Sequence, residues 1–208
     1  AGKHLHFAAR RHQKEGHEEI MDIRSEIELF TPGCEQEQRD KAQMLSWLDS
    51  TPDPFTRANT VGHFSASSWI VSPDRQQVLL IYHNIYRSWA WTGGHADGER
   101  DLLAVALREA REESGLETLR VLKDGIFSLE TLTVDGHIKR GSYVSSHLHL
   151  NVTYLLEADP REPLRMKPDE NSGVAWFPVS QVAERVTEPW MNRWVYQKLM
   201  ERVRTLGA

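Results

Sequence analysis

The sequence predicts a mixed α/β (α+β) domain behind a helical N-terminal extension. Three observations carry this. Up to about residue 58 apolar residues recur at spacings of three and four. From His63 onward, short runs rich in aromatic and β-branched residues set in. Leu102–Ser114 then returns to helical spacing between strand-like runs. The expected division is residues 1–58 for the helical extension and 59–208 for the mixed domain.

Taken in order, the first seventeen residues carry His4, His6, His12 and His17 among basic residues, with no long apolar core. They read as a polar lead-in rather than a secretory signal. Ile20, Ile23, Ile27 and Phe30 then form an amphipathic stripe over Glu18–Phe30, stopped by Thr31-Pro32-Gly33. A second helix is expected over Glu35–Leu48, ahead of Pro52 and Pro54. His63–Val71 and Val78–His83 flank the turn signal Ser72-Pro73-Asp74 and predict a hairpin. Ile85–Trp91 extends the sheet towards Gly93-Gly94. For Leu102–Ser114, Asp101 is the expected N-cap and Gly115 the C-cap glycine. Strands are expected near Gly125–Val134, His147–Glu157 and Val174–Phe177. Helices are expected over Val179–Val186 and Trp190–Leu206, with Trp190 and Trp194 as the seam of the latter.

Composition excludes several classes. In 208 residues, Lys and Arg number 25 and Asp and Glu 30, for a net charge of −5. That acidic balance argues against a general nucleic-acid binder. Cys34, the one cysteine, rules out an internal disulfide or a thiolate metal cage and points to a reducing, cytoplasmic compartment. No apolar run approaches the ~20 residues of a membrane span.

The chemistry concentrates in Gly93–Leu116, GGHADGERDLLAVALREAREESGL. On a helix, Glu109, Glu112 and Glu113 stand at i, i+3 and i+4 and share a face. Like charges crowded there repel unless a cation neutralises them, and hard oxygen ligands suit Mg2+ or Mn2+. An ordinary solvated acidic face is the plainer explanation of such a triplet taken alone.

The stretch as a whole resembles the Nudix box, G-x5-E-x7-R-E-U-x-E-E-x-G-U, where U is apolar. Gly94 takes the first position, and Arg108, Glu109, Ala110, Glu112, Glu113, Gly115 and Leu116 the later ones. The resemblance extends more loosely over residues 60–180 and implies a Nudix-like α/β/α sandwich with a mixed sheet. One position departs: the first box glutamate falls at Arg100. Glu99, one residue earlier, could replace it if the loop shifts.

By this resemblance the chain would be a Mg2+- or Mn2+-dependent hydrolase of a nucleoside diphosphate linked to another moiety. Its metal ligands would be Glu109, Glu112, Glu113 and the backbone carbonyl near Gly94, with Arg108 steadying the glutamates. A general base often comes from a loop before the last strand. Glu170, in Lys167-Pro168-Asp169-Glu170-Asn171, is the candidate, with Glu109 and Glu112 as rivals. His147, His149 and Asn151 alternate with apolar residues, which places them on one strand face. That face either meets solvent or lines the substrate cleft. His95, beside the glycine pair, is a further cleft candidate. Trp91, with Trp89, either stacks on a base or packs in the core. Two alternatives stand beside the hydrolase. One is a catalytically weakened ligand-binding regulator on the same fold, suggested by Arg100. The other is an isomerase of the isopentenyl diphosphate type, disfavoured because Cys34 lies far from the core. The N-terminal helices could cap the cleft, form a homodimer contact or bind a partner.

Overall fold

The computed structural model describes residues 21–139 and 141–206. The histidine-bearing lead-in and the start of the first expected helix lie outside them. Two helices come first, α1 (Ile23–Leu29) and α2 (Glu35–Ser50). Strands β1 (Gly62–Val71), β2 (Gln77–His83), β3 (Ser88–Ala90) and β4 (Thr92–His95) lead into helix α3 (Leu102–Ser114). Then follow β5 (Arg120–Val121), β6 (Ser128–Val134), the hairpin β7 (His137–Lys139) and β8 (Ser142–Val144), β9 (His147–Glu157) and β10 (Asn171–Pro178). A 3-10 turn over Val179–Gln181, α4 (Val182–Arg185), α5 (Pro189–Met191), a π turn over Asn192–Tyr196 and α6 (Gln197–Thr205) close the chain.

Eight strands form one mixed sheet. Its spine runs β10-β2-β1-β9-β5, with β3 on β2, β4 on β1 and β6 on β9. The central pair β1–β9 is parallel over ten residues, and every other pair is antiparallel. Both sheet faces are covered, so the central strands are buried along most of their length.

Alternation along β1 and β9 sorts the core into layers. Phe64, Ala66, Leu150, Val152 and Tyr154 pack with Ile23 and Ile27 of α1, Met44 of α2 and Leu102, Val105 and Ala106 of α3. On the opposite face Trp69, Val71 and Leu155 meet Val182, Val195, Tyr196, Leu199 and Val203 of the C-terminal helices. The seam of the last helix is therefore Val195, Tyr196, Leu199 and Val203. The expectation for Trp190 and Trp194 is corrected, since both stay 45–46% exposed.

Residue 58 marks no break in packing. Gln36 of α2 donates to the Leu129 carbonyl at 2.9 Å, and Asp40 accepts from the Thr131 N–H at 2.9 Å. These side chains satisfy backbone groups on the outer edge of β6. Glu37, fully buried, accepts from Ser128 Oγ at 2.8 Å and pairs with Lys198 and Arg202 of α6.

Candidate functional site

Helix α3 begins and ends as its sequence dictates. Asp101 accepts from the Ala104 N–H at 2.9 Å, and Gly115 takes the left-handed conformation at φ 77°. This fixes the glutamate face against β4. The Glu113 carboxylate is 3% exposed and accepts from the Gly93 N–H at 2.9 Å. Burial pushes its pKa up to about 8. The Gly93 N–H acts against that, while the charges of Glu109 and Glu170 add to it. Burial likewise raises Glu109, against the pull of Arg108, whose guanidinium lies 3.1 Å from its carboxylate. Gly94 lies so close to Glu109 that an added Cβ would stand 2.5 Å from the carboxyl carbon. A side chain at this position would push the Glu109 carboxylate aside.

Glu112 points outward to Lys167, with 2.7 Å between Nζ and Oε2, and Lys167 also reaches Glu170 at 3.0 Å. The loop before β10 is thus brought to the box face. Its lysine, which the sequence reading passed over, bridges a box carboxylate and the candidate base. Burial works against the Lys167 charge, yet the two carboxylates hold its pKa well above the usual lysine range. Asn171 locks the loop by donating to the Glu113 carbonyl at 3.0 Å.

Arg100 lies 5.2 Å from the centroid of the Phe55 ring. Glu99 does not take over the missing box position. Its carboxylate accepts from the Arg100 and Asp101 N–H groups at 2.7 and 2.9 Å, at the entry to α3. Arg108 accordingly has Glu109 as its carboxylate partner.

The remaining candidates divide. His95, His147 and His149 come together, and His63 joins them. All four donor atoms lie within 4.8 Å of one another, the one such histidine, cysteine or carboxylate group among the described residues. Strand register explains it: His63 stands beside His149 across β1–β9, and His95 beside Ser65 across β1–β4. Burial, followed by the neighbouring cations and imidazoles, lowers His95 to about 3 and His149 to about 2. His63 is lowered for the same first reason. His63 escaped the sequence reading because parallel register between distant strands leaves no local signal; His95, His147 and His149 were the visible three.

Asn151 and Trp91 are not cleft contacts. Asn151 is 1% exposed; it accepts from Ser65 and Ser67 at 3.1 and 2.8 Å and donates to Glu130 and Thr153. Its hydrogen-bonding capacity is spent inside the protein. Trp91 is buried edge-on against Tyr196, with ring centroids 5.5 Å apart, in the core under α6.

The NUDIX domain family model matches residues 62–200. Among solved structures, the chain is similar to a Nudix hydrolase from M. smegmatis, RenU, at 20% identity and TM-score 0.50, over 70% of this chain and 88% of that one. It is also similar to the E. coli dihydroneopterin triphosphate pyrophosphohydrolase at 15% identity and TM-score 0.50, over 66% of this chain and 94% of that one. Both likenesses concern the fold. No curated protein matches the chain in sequence.

Proposed function

The chain belongs to the NUDIX family, and on that premise we propose that it is a Mg2+- or Mn2+-dependent pyrophosphohydrolase acting on a nucleoside diphosphate linked to another moiety. The carrying observation is the carboxylate set on α3: Glu113 buried and pushed up to about 8, Glu109 raised beside it, and Glu112 held by the Lys167 ammonium. Such a set fits a hard divalent cation, because it concentrates more negative charge than the protein itself neutralises. Glu109, Glu112, Glu113 and the Gly94 carbonyl would hold it. When bound, a divalent cation offsets diphosphate charge and acidifies water.

The protein's own groups supply the rest. Arg108 orients Glu109. Glu170, 3.0 Å from Lys167, is the base that takes a proton from the attacking water, and Lys167 sets its position. Attack on phosphorus then breaks one bond of the anhydride, and the nucleoside phosphate leaves. The substrate is a small molecule, the setting cytoplasmic, and no helix among the described residues is long and apolar enough to cross a membrane.

The test is a turnover screen over ADP-ribose, dinucleoside polyphosphates, nucleotide sugars and nucleoside triphosphates, with Mg2+, Mn2+ or EDTA, reading products by mass. Expected is metal-dependent cleavage of one class, abolished in Glu112→Gln/Glu113→Gln. In the same assay Glu170→Gln lowers turnover by about 10²-fold or more. A loss of only a few-fold removes Glu170 from the role of base. A second reading, a ligand-binding regulator with weakened catalysis, is favoured by Arg100 on Phe55 and Glu99 on backbone N–H groups. Among the described residues, Arg108 then pairs with one carboxylate, that of Glu109. Tight binding of one compound without turnover supports it.

A further inference from the structure

The four histidines form a constellation that the box chemistry does not use. His63 contributes from β1, His95 from β4, and His147 and His149 from β9. They lie across the sheet from the glutamates. Along β4, Gly94 faces Glu109, and the next residue, His95, faces the other way, opposite Ser65.

Hydrogen bonds fix the state of two rings. The Asn59 carbonyl lies 3.0 Å from His63 Nδ1, and the Ser145 carbonyl 2.8 Å from His147 Nδ1. A carbonyl only accepts, so both Nδ1 atoms carry a proton, which leaves Nε2 as the nitrogen that each ring can offer to a ligand. Backbone carbonyls orienting imidazoles in this way are what metal-ligating histidines show. His63 is 3% exposed, and its Nε2 has no hydrogen-bond partner among the described residues. A buried acceptor left so is costly unless something fills the space before it. His147 Nε2 and His149 Nε2 are 3.2 Å apart. That is close to the spacing of about 3.3 Å that two nitrogens take on one tetrahedral Zn2+ ion at about 2.0–2.1 Å.

We infer that His63, His95, His147 and His149 bind one first-row transition-metal ion of the Zn2+ class, at a site separate from the box glutamates. Four imidazole nitrogens and no hard oxygen donor select Zn2+ and its neighbours over Mg2+ or Mn2+. The ion would join three strands drawn from distant parts of the chain. The inference stands independently of the hydrolase reading.

The test titrates CoCl2, then ZnCl2, into chelator-treated protein. Its background carries His4, His6, His12 and His17 replaced by Gln, so that the lead-in contributes no imidazole. One equivalent of Co2+ giving the intense visible bands of four-coordinate cobalt, displaced by one equivalent of Zn2+, is the expected result. Glu112→Gln/Glu113→Gln retains that spectrum. His63→Ala and, separately, the more exposed His147→Asn weaken Zn2+ binding by more than the roughly 10–100-fold that loss of a merely orienting partner costs. Circular dichroism checks that each variant is folded. Absence of the bands in the parent protein overturns the inference without recourse to any variant. So does a spectrum lost in the glutamate variant but kept in the folded histidine variants.

Discussion

Glu26 shows how one residue writes a pH dependence into the fold. It sits on α1 with its carboxylate 3.4 Å from the Tyr154 hydroxyl, half-buried at the helix–sheet contact. Burial raises its pKa from 4.5 to about 7, although the tyrosine hydrogen bond pulls the other way. Because the folded value exceeds the unfolded one, the stability this group contributes is fully present below about pH 4.5. It is lost as pH rises through about 7. Glu26→Gln should therefore match the parent in melting temperature at pH 4.5 and exceed it by a widening margin up to pH 8. Parallel melting curves across that range would show that Glu26 stays solvated in the folded protein. The residue escaped sequence reading because nothing local marks it. Its register with Ile23 and Ile27 suggests a helix boundary position, and only the arrival of Tyr154 over it makes the carboxylate costly.

Single elements were legible in proportion to how local their causes are. Helix α3 is set by Asp101, the apolar stripe and Gly115, all within fifteen residues, and its expected and observed bounds coincide. Asp101→Ala should cost about 1 kcal/mol, and Asp101→Ser much less. Thermal unfolding would read this as a fall of about 2–4 °C for a chain of this size. An unchanged midpoint in Asp101→Ala would deny the cap any energetic role. Strand β9 was likewise readable from alternation, yet its meaning was not. Asn151 and Thr153 look like a solvent face until Glu130, Ser65 and Ser67 close over them. The last helix carries two apolar sets, and only the partner surface chooses between them. Trp69 and Leu155 take Tyr196 and Leu199, leaving Trp190 and Trp194 outside.

For the molecule as a whole, the helices before residue 58 are part of the packing. Removing them uncovers Phe64, Leu129, Val152 and Tyr154 and strips the β6 edge of Gln36 and Asp40. It also leaves Arg202 without its Glu37 carboxylate, while Lys198 keeps Glu130 at 3.0 Å. A chain beginning at Asn59 should therefore melt well below the full chain and associate through the bared edge, as size-exclusion chromatography and thermal unfolding would reveal. A monomer of undiminished melting temperature would return the helices to the status of an appendage. The extent of the family match, residues 62–200, takes in the box and the sheet. The packing extends further towards the N-terminus than that match does.

The parallel pairing of β1 with β9 also sets a timetable. Ser65 and Asn151, bonded to each other at the centre of the sheet, are 86 residues apart in the chain. At a ribosomal pace of roughly 5–20 residues per second, β1 waits several seconds after emerging before its neighbour exists. During that wait the hairpin with β2, the turn into β4 and helix α3 can form from nearby sequence, whereas the centre of the sheet cannot. The box helix is thus available early, and the histidine cluster and the Asn151 network are completed late. Nascent β1, ten residues long, spends the interval with an open flank, which makes its arrival at β9 the step of synthesis where a chaperone has most to protect.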